Sequence, residues 1–362
     1  MVPRVKKMAE MYEGMADADV VIQLDILFVT LTVLTALHAI SKRGLFSGIA
    51  VVAFIFLHTV AFEHVSLFLG GTHCHASSPV LAMVTPCSSI NSVLFYVPWI
   101  YTSLEAARRL NLRPAAFPLA VGLLQIGFGA VYEMQGPWNS FWHWPDEKGI
   151  IAKSPLLERW ENYPPLDFLS EAKLNGEVAT ITSGVFRVSQ HADGALAERL
   201  YGFPIFAPYF HFAFGFGWAV GLLFTGSVGS EAPPSLKRIA IAGLLTTVLF
   251  LFPIWITRGL CQVARIQLSV GVPLSLLLSF IALLVIEKRK KKTSSVSALK
   301  PDVLLFVISA AMHAFMVSFP LRAPKPPPSG LHSLVAFTAT AHLIAQYVCC
   351  FMTGSKQIDK IE

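Results

Sequence analysis

Residues 115–146 read AAFPLAVGLLQIGFGAVYEMQGPWNSFWHWPD. The first part, 115–134, is an apolar run, and a transmembrane helix needs about 20 such residues. The second part holds three tryptophans, one histidine and a carboxylate, and Glu133 precedes it on the last helical turn. Tryptophan at this density is typical of a membrane–water interface, because the ring is apolar while its N–H needs a partner. The segment is therefore either an aromatic belt or one wall of a site for an apolar substrate.

The composition of the chain predicts an all-α, polytopic membrane helix bundle. Of its 362 residues, 54% are hydrophobic and 14% are charged, whereas soluble domains carry about 25% charged residues. The net charge of +6 is concentrated in short connectors, above all KRKKK at 288–292, which fits the positive-inside rule. We therefore expect membrane lipids as partners and no nucleic acid. The sequence carries no signal for an oligomeric state.

Apolar runs predict nine spans that divide the chain into five parts. A polar tail occupies 1–20, spans one to four occupy 21–134, a long external or lumenal loop occupies 135–203, spans five to nine occupy 204–352, and a second tail occupies 353–362. The predicted spans are 21–40, 45–69, 90–107, 115–134, 204–224, 239–256, 266–286, 303–319 and 331–352.

Lysine and arginine alternate between the connectors in a way that predicts the orientation. One set of connectors holds Lys42, Arg43 and the KRKKK run, while the loop between spans two and three holds no basic residue. This asymmetry places the C-terminus in the cytosol. The endoplasmic reticulum or another internal membrane is favoured over the plasma membrane.

Polar and small residues recur at helical spacing within several predicted spans. Such stripes should face the bundle interior, since lipid offers no hydrogen-bond partner; close helix packing by small residues is the alternative interpretation. Glu63 and Glu133 both lie near the outer ends of spans two and four, so we expect these two spans to be neighbours that share an outward cavity. The stripes are Thr59, Glu63, Ser66 and Gly70; Gly122, Gln125, Gly129 and Glu133; His211, Gly215 and Trp218; and Thr338, His342 and Gln346.

Histidines near the outer loop suggest a divalent metal as a candidate cofactor. His73 and His75 flank a cysteine, and His64 lies just before them on span two; zinc and iron accept such ligands. The HxxxH sets expected of membrane di-iron enzymes do not occur in the sequence. Satisfied interior histidines are the alternative, and a haem held by two histidines from different spans is another.

The five cysteines are too few for a disulfide scaffold. Cys74 and Cys87 share one outer loop and would pair if that side is oxidising. Cys349 and Cys350 are either acylated or packed in the last helix, and we favour packing.

Three short motifs resemble the membrane carotenoid hydratases and related carotenoid-biosynthesis membrane proteins. The motifs are Glu63 with Gly70 and Gly71, then residues 142–144 (WHW), then residues 201–204 (YGFP). The resemblance implies a lipophilic, isoprenoid-like substrate. This chain departs from the pattern in the long insertion between the last two motifs and in its HCH loop. Another eukaryotic polytopic membrane family is the alternative.

The function we predict is a lyase- or hydratase-like membrane enzyme that acts on a lipophilic substrate. Glu63 would be the acid that protonates a double bond, and Glu133 or Asp146 would be the base that activates water. Indoles would shield a cationic intermediate. The complete set of expected catalytic residues is Glu63, Glu133, His143 and Asp146, and the expected substrate-binding residues are Trp138, Trp142, Trp144, Tyr201 and His211.

Two other functions compete with the enzyme. One is a small-solute or proton-coupled transporter, and the other is a non-catalytic membrane subunit. Convergence of the carboxylates near one interface would favour the enzyme. A continuous polar path that reaches His313 and His342 would favour transport. Phosphate-binding glycine loops and serine-hydrolase elbows do not occur in the sequence, which disfavours nucleotide-binding and hydrolase classes.

Overall fold

The structure is a computed structural model, and it describes most of the helical chain. The described residues are 18–70, 74–76, 78, 80–81, 83–85, 88–136, 139, 141–143, 172–174, 177–179, 206–226, 234–264, 268–288, 300–318 and 330–352. They form eleven α-helices: α1 Ala18–Arg43, α2 Leu45–Gly70, α3 Asn91–Leu94, α4 Tyr96–Arg109, α5 Phe117–Gln135, α6 Phe206–Phe224, α7 Leu236–Leu249, α8 Leu251–Ala264, α9 Leu268–Lys288, α10 Val303–Ser318 and α11 Leu331–Tyr347. A π-helical turn, Val348–Met352, extends α11.

The strands of the described residues are short pieces that pair in twos at antiparallel register. They are β1 Cys74–His75 with β4 Trp142–His143, β2 Met83–Thr85 with β3 Ser88–Ser89, and β5 Ala172–Leu174 with β6 Glu177–Ala179. The fold is therefore the predicted all-α bundle with small elaborations at its loops.

Six helical stretches among the described residues are long and apolar enough to cross a membrane, namely Asp19–Arg43, Leu45–Glu63, Phe117–Gln135, Leu236–Ile254, Gly271–Lys288 and Leu331–Phe351. Two further apolar helices, Tyr209–Phe224 and Val303–Ser318, are shorter. These helices fit an integral, multi-pass membrane protein. The count of nine spans and the cytosolic side of the C-terminus remain predictions.

Helix α4 lies at the centre of the bundle. It packs against α1, α2, α5, α6 and α10, and every residue from Tyr96 to Leu104 is buried. Because its neighbours shield it from lipid, α4 can carry polar residues such as Thr102 and Ser103 that an exposed span would exclude. The prediction that spans two and four pack directly against each other is wrong. Helix α4 packs against both α2 and α5, which do not pack along each other in the described part of the chain.

Glycines bring α5 and α6 into close contact. A Cβ added at Gly122 would meet the Phe212 ring at 2.8 Å, and one added at Gly215 would meet the Gln125 side chain at 2.7 Å. A Cβ at Gly129 would collide with the His211 ring. The two predicted stripes on these helices therefore face each other, which confirms that they point to the interior of the bundle. Glycine at these positions allows the two helices to approach each other closely.

The opposite side of α5 packs against α11. A Cβ at Gly127 would collide with the His342 ring, and since Gly127 and Gly129 are two positions apart, they point to nearly opposite sides of the helix. Helix α5 is thus held between α6 and α11.

The bundle has two distinct ends. The loop end holds the described residues of 74–91 and of 136–143, and the basic end holds Lys42, Arg43, Arg108, Arg109 and Arg113.

Candidate functional site

The HCH segment and the tryptophan segment lie side by side at the loop end. Strand β1 pairs with β4 so that Cys74 is opposite His143 and His75 is opposite Trp142. The Ala76 amide donates a 2.8 Å hydrogen bond to the Phe141 carbonyl. Residues about 70 positions apart are therefore joined through their backbones, and the buried His75 side chain lies within this loop layer.

Many of the predicted site residues fall outside the described part of the chain. Nothing is described for His73, Trp138, Trp144, Asp146 and Tyr201, and only the backbone is described for His64, Cys74, Trp142 and His143. Their predicted roles stay predictions. Glu63, His75, Glu133 and His211 have described side chains, and all four are buried.

Glu133 and His211 form the best-defined polar contact at the loop end. The His211 Nε2 lies 2.9 Å from Glu133 Oε1, which joins the end of α5 to the first turns of α6. Both side chains are almost completely enclosed, with residue exposures of 8% and 1%. A buried carboxylate needs a partner of this kind, because an isolated charge in the bundle interior is strongly unfavourable. The predicted substrate-binding residue His211 is thus a direct partner of the predicted base.

Glu63 of α2 is connected to the same region by Tyr96 of α4. The Tyr96 hydroxyl lies within hydrogen-bonding reach of the Glu63 carboxyl, and Glu133 is also close enough to interact electrostatically with Tyr96. Tyr132 interacts electrostatically with both carboxyl groups. We call Glu63, Tyr96, Tyr132, Glu133 and His211 the loop-end cluster. It brings together two carboxyl groups that the sequence predicted to share a site, although α4 and not direct helix contact connects them.

A third carboxyl group adjoins the loop-end cluster. Asp25 of α1 is buried, and it accepts hydrogen bonds from the Asn91 side-chain amide and the Ser78 hydroxyl. It interacts electrostatically with Tyr132. Asp25 is fully engaged with α3 and the outer loop, so its evident role is to fix these segments over the bundle.

Several polar atoms around His211 have no hydrogen-bond partner among the described residues. They are Glu133 Oε2, His211 Nδ1, Trp99 Nε1 and both ends of the Gln125 amide. Trp99 and Gln125 are 0% exposed, and an unsatisfied buried group costs about 1–3 kcal/mol. Such atoms require water or a ligand. Their concentration between α4, α5 and α6 marks this place as the candidate functional site.

Aromatic rings enclose the candidate site on the side of α4. The Trp99 ring contacts His211 at a centroid distance of 5.3 Å and Tyr132 at 5.3 Å. Phe95 lies 4.7 Å from Tyr132 and 4.4 Å from Trp99. Because these faces are electron-rich, they can stabilise a positive charge that develops beside the carboxyl groups.

A second polar cluster lies deeper in the bundle, between α10 and α11. The His313 Nε2 is 2.6 Å from His342 Nδ1, and the Gln346 amide nitrogen lies 3.2 Å from His342 Nε2. We call His313 and His342 the histidine pair. The Phe128 ring stacks on His313 at 5.4 Å and also stacks on Trp99 at 6.0 Å. The rings of Phe128 and Trp99 therefore stand between the histidine pair and His211.

A charged network closes the basic end. The Asp302 carboxylate accepts from His38 Nε2 at 2.9 Å and from Lys42 at 3.0 Å, and Arg109 lies 3.5 Å away. His38 Nδ1 is 2.9 Å from the Tyr101 hydroxyl. We call these five residues the basic-end cluster. Burial alone would raise the pKa of Asp302, but the hydrogen bonds and charges of His38 and Lys42 hold it well below its ordinary value.

Arg109 also anchors the end of the last helix. Its guanidinium donates to the carbonyls of Cys349 at 2.9 Å, Cys350 at 3.0 Å and Lys300 at 2.7 Å. Both cysteines are buried, with exposures of 2% and 0%. Their burial agrees with the packing interpretation of these cysteines.

Metal ligands do not cluster in the described part of the chain, where no group of three or more histidine, cysteine, aspartate or glutamate side chains could hold an ion. His64 and His73 lie outside the described side chains, so the proposed divalent site stays a prediction. His313 and His342 hydrogen-bond each other, an arrangement that does not place a haem between them.

Sequence reasoning missed the contribution of α4. Tyr96, Trp99 and Ser103 follow each other at helical spacing and are all buried, and this stripe is the signal that would have identified them. Comparison with known proteins adds no family to this picture: no protein-family model, no curated protein and no solved structure matches the chain.

Proposed function

We propose that this protein is an integral membrane enzyme that performs acid–base chemistry on a lipophilic substrate at the loop end of its helix bundle. The observation that carries the proposal is the meeting of two carboxyl groups, from α2 and α5, with Tyr96 and His211 in one buried cluster. Paired carboxyl groups in different environments are suited to separate acid and base roles. The unpartnered polar atoms beside them supply places for water and for a substrate group.

The reaction that these groups support is addition of water to a carbon–carbon double bond. Glu63 in its protonated form gives its proton to one alkene carbon, so that an O–H bond breaks and a C–H bond forms. A water oxygen then bonds to the other carbon, and the proton of that water passes to Glu133 or its partner His211. Transfer of this proton back to Glu63 through Tyr96 restores the starting state. Elimination of water from an alcohol is the same sequence in reverse.

The substrate class follows from the surroundings of the site. Protonation of an alkene generates a carbocation, which the Phe95, Trp99 and Tyr132 rings would stabilise by cation–π contact. The apolar helices around the site also suit a lipophilic substrate supplied by the bilayer. The isoprenoid-like substrate implied by the resemblance to carotenoid hydratases fits both features and is part of the proposal.

A solute transporter is the competing function, and the histidine pair is the observation that favours it. Buried ionisable groups within spans often mark solute or proton pathways. Against it, the Trp99 and Phe128 rings stand between the histidine pair and His211 within the described part of the chain. We therefore favour the enzyme.

The first experiment identifies the substrate and the reaction together. Lipids and isoprenoids are profiled in cells with and without the protein, and the species that accumulates is supplied to the purified protein in lipid nanodiscs made with ¹⁸O-labelled water. Hydration predicts a product heavier by one labelled oxygen. An unchanged profile, or a product without the label, would remove the hydration chemistry.

The second experiment assigns the acid. Glu63→Gln keeps the shape of the side chain but cannot give up a proton, and we expect turnover to fall by about 10²-fold or more. Glu287→Gln is the matched control, since Glu287 lies at the basic end and accepts a 2.7 Å hydrogen bond from the Arg113 amide, a role that glutamine can keep. Full turnover of a folded Glu63→Gln variant would refute the acid–base assignment.

A further inference from the structure

Two stripes of buried polar residues connect the basic-end cluster to the histidine pair. On α10, Ser309 and His313 follow Asp302 by seven and eleven positions, so the three lie on one face over about 16 Å. On α11, His342, Gln346 and Cys350 follow each other at intervals of four. The Cys350 carbonyl accepts from both Arg109 and the Asp302 amide. Buried polar residues thus extend from the basic-end cluster to the histidine pair.

Polar atoms along these stripes need partners that the described residues do not supply. Ser309 Oγ, His313 Nδ1 and Gln346 Oε1 are buried and make no hydrogen bond within the described part of the chain. Each residue is 0% exposed. Because leaving such groups dry is costly, we expect ordered water beside them. Lys42 is 44% exposed on its side chain, so the basic-end cluster at the far end of the stripes reaches solvent.

The hydrogen bonds of the histidine pair are compatible with two tautomers. In the first, the Gln346 amide nitrogen donates to His342 Nε2, and the His342 Nδ1–H donates to His313 Nε2, so that the His313 hydrogen is on Nδ1. In the second, both rings carry their hydrogen on Nε2, the His313 Nε2–H donates to His342 Nδ1, and the Gln346 amide turns so that its oxygen accepts from His342. The Leu124 backbone also hydrogen-bonds the His342 ring. Interconversion of the two tautomers moves one proton through the pair.

We propose that Gln346, His342 and His313 form a proton relay between the basic end and the loop-end cluster. A proton from the basic end bonds to His342 Nε2, while the His342 Nδ1–H bond breaks and a His313 Nε2–H bond forms. The His313 Nδ1–H bond then breaks, and that proton passes to water. Rotation of the Gln346 amide, so that its oxygen accepts from His342, stabilises the new tautomers and lets the relay run in the reverse sense.

Trp99 lies where the relay must cross to the loop-end cluster. Its indole N–H is buried and has no partner among the described residues, and its ring contacts both Phe128 and His211. A single water accepting from this N–H would continue the chain. Rings that stop a solute do not stop a proton, which needs only hydrogen-bonded water. The relay therefore differs from solute transport and does not depend on the proposed reaction.

Proton flux into vesicles tests the relay without any substrate. The full-length protein is reconstituted into liposomes that enclose a pH-sensitive dye, and a potential is imposed with potassium and valinomycin. We expect the wild type to carry protons faster than protein-free liposomes. His313→Gln keeps an amide near the Nε2 position, and His342→Asn keeps one near Nδ1, but neither titrates, so both should fall to the protein-free rate. His332→Gln, on the exposed side of α11, is the control and should conduct as the wild type does.

Wild-type flux equal to that of protein-free liposomes would overturn the relay, and so would wild-type flux in both folded histidine variants. If those variants do not fold, nitrogen-15 imidazole spectra of the wild-type protein decide. The imidazole N–H hydrogens of His313 and His342 should exchange with deuterated solvent within minutes if water reaches the pair. Protection lasting for days would show a dry core and would refute the proposal.

Discussion

The contact between Gly129 and His211 provides a direct test of the candidate site, through the substitution Gly129→Ala. The added Cβ would lie 2.3 Å from the His211 ring and 2.6 Å from the His211 Cβ, so this side chain and the α6 backbone that carries it would have to move by about 1 Å to regain ordinary carbon–carbon contact. Overpacking of this kind costs about 1–3 kcal/mol, and the better helix propensity of alanine returns about 1 kcal/mol. We therefore expect a net loss of up to about 2 kcal/mol in the free energy of unfolding. Reversible unfolding in mixed detergent micelles measures this quantity.

The same substitution in a His211→Gly background isolates the His211 side chain as the cause. His211→Ala would not serve, because the Cβ that it keeps lies 2.6 Å from a Cβ added at position 129. With the whole side chain absent, the Cβ at position 129 enters vacated space, so Gly129→Ala should become neutral or stabilising. The coupling between the two changes should be about 1–3 kcal/mol in the favourable direction. Gly122→Ala is the control, because its Cβ would meet Phe212 at 2.8 Å and its cost should not depend on the His211 side chain. Additive effects of Gly129→Ala and His211→Gly would show that the two residues do not touch, and the geometry of the site would be wrong.

Three further predictions concern the basic end and the last helix. Arg109→Lys replaces a planar donor that bonds three carbonyls, so we expect it to lower the free energy of unfolding by about 2–5 kcal/mol; Arg238→Lys, with one exposed 3.3 Å bond, should change it by less than about 0.5 kcal/mol. Since the folded-state pKa of Asp302 is depressed, its contribution to stability is complete above pH 4 or so and is lost as the pH falls further. The stability difference between wild type and Asp302→Asn should therefore be constant from pH 7 to 5 and shrink below about pH 4; a constant difference throughout would contradict the assignment. Cys349 and Cys350 should resist a maleimide in the folded protein and react after unfolding, and rapid native labelling would disprove their burial.

The sequence predicted the helices well because their signal is local. Apolar runs and basic flanks depend only on neighbouring residues, and every predicted span overlaps a described helix. The predicted spans 90–107 and 239–256 each cover parts of two helices, and the count of nine spans remains a prediction. The interior orientation of the stripes on α5, α6 and α11 could also be predicted from the sequence, since the interior of a membrane bundle is the only place where Gln125, His211 and His342 find polar surroundings.

The contacts between helices could not be predicted from the sequence in the same way. His38 and Asp302 are 264 positions apart, and no local pattern indicates that they pair. The prediction that α2 and α5 would be direct neighbours failed because it compared two acidic stripes and ignored α4. Helix α4 is short and contains both polar and apolar residues, so its composition does not resemble that of a typical membrane-spanning helix. These properties are typical of a helix that is enclosed by other helices. Burial at the centre of the bundle, and not exposure to lipid, explains its sequence.

The central position of α4 also explains how the polar groups of the bundle relate to one another. Tyr96 at its loop end hydrogen-bonds the Glu63 carboxyl and interacts electrostatically with Glu133. Trp99, one turn further, contacts His211 and Phe128. Tyr101 and Arg109 complete the network around Asp302 at the other end. Each polar cluster at the two ends therefore uses a side chain of the same rigid helix. A rotation of α4 would alter the Glu63–Tyr96 contact, the contacts of Trp99 and the basic-end cluster together, so the proposed acid–base site and the proposed proton relay would depend on the position of the same helix.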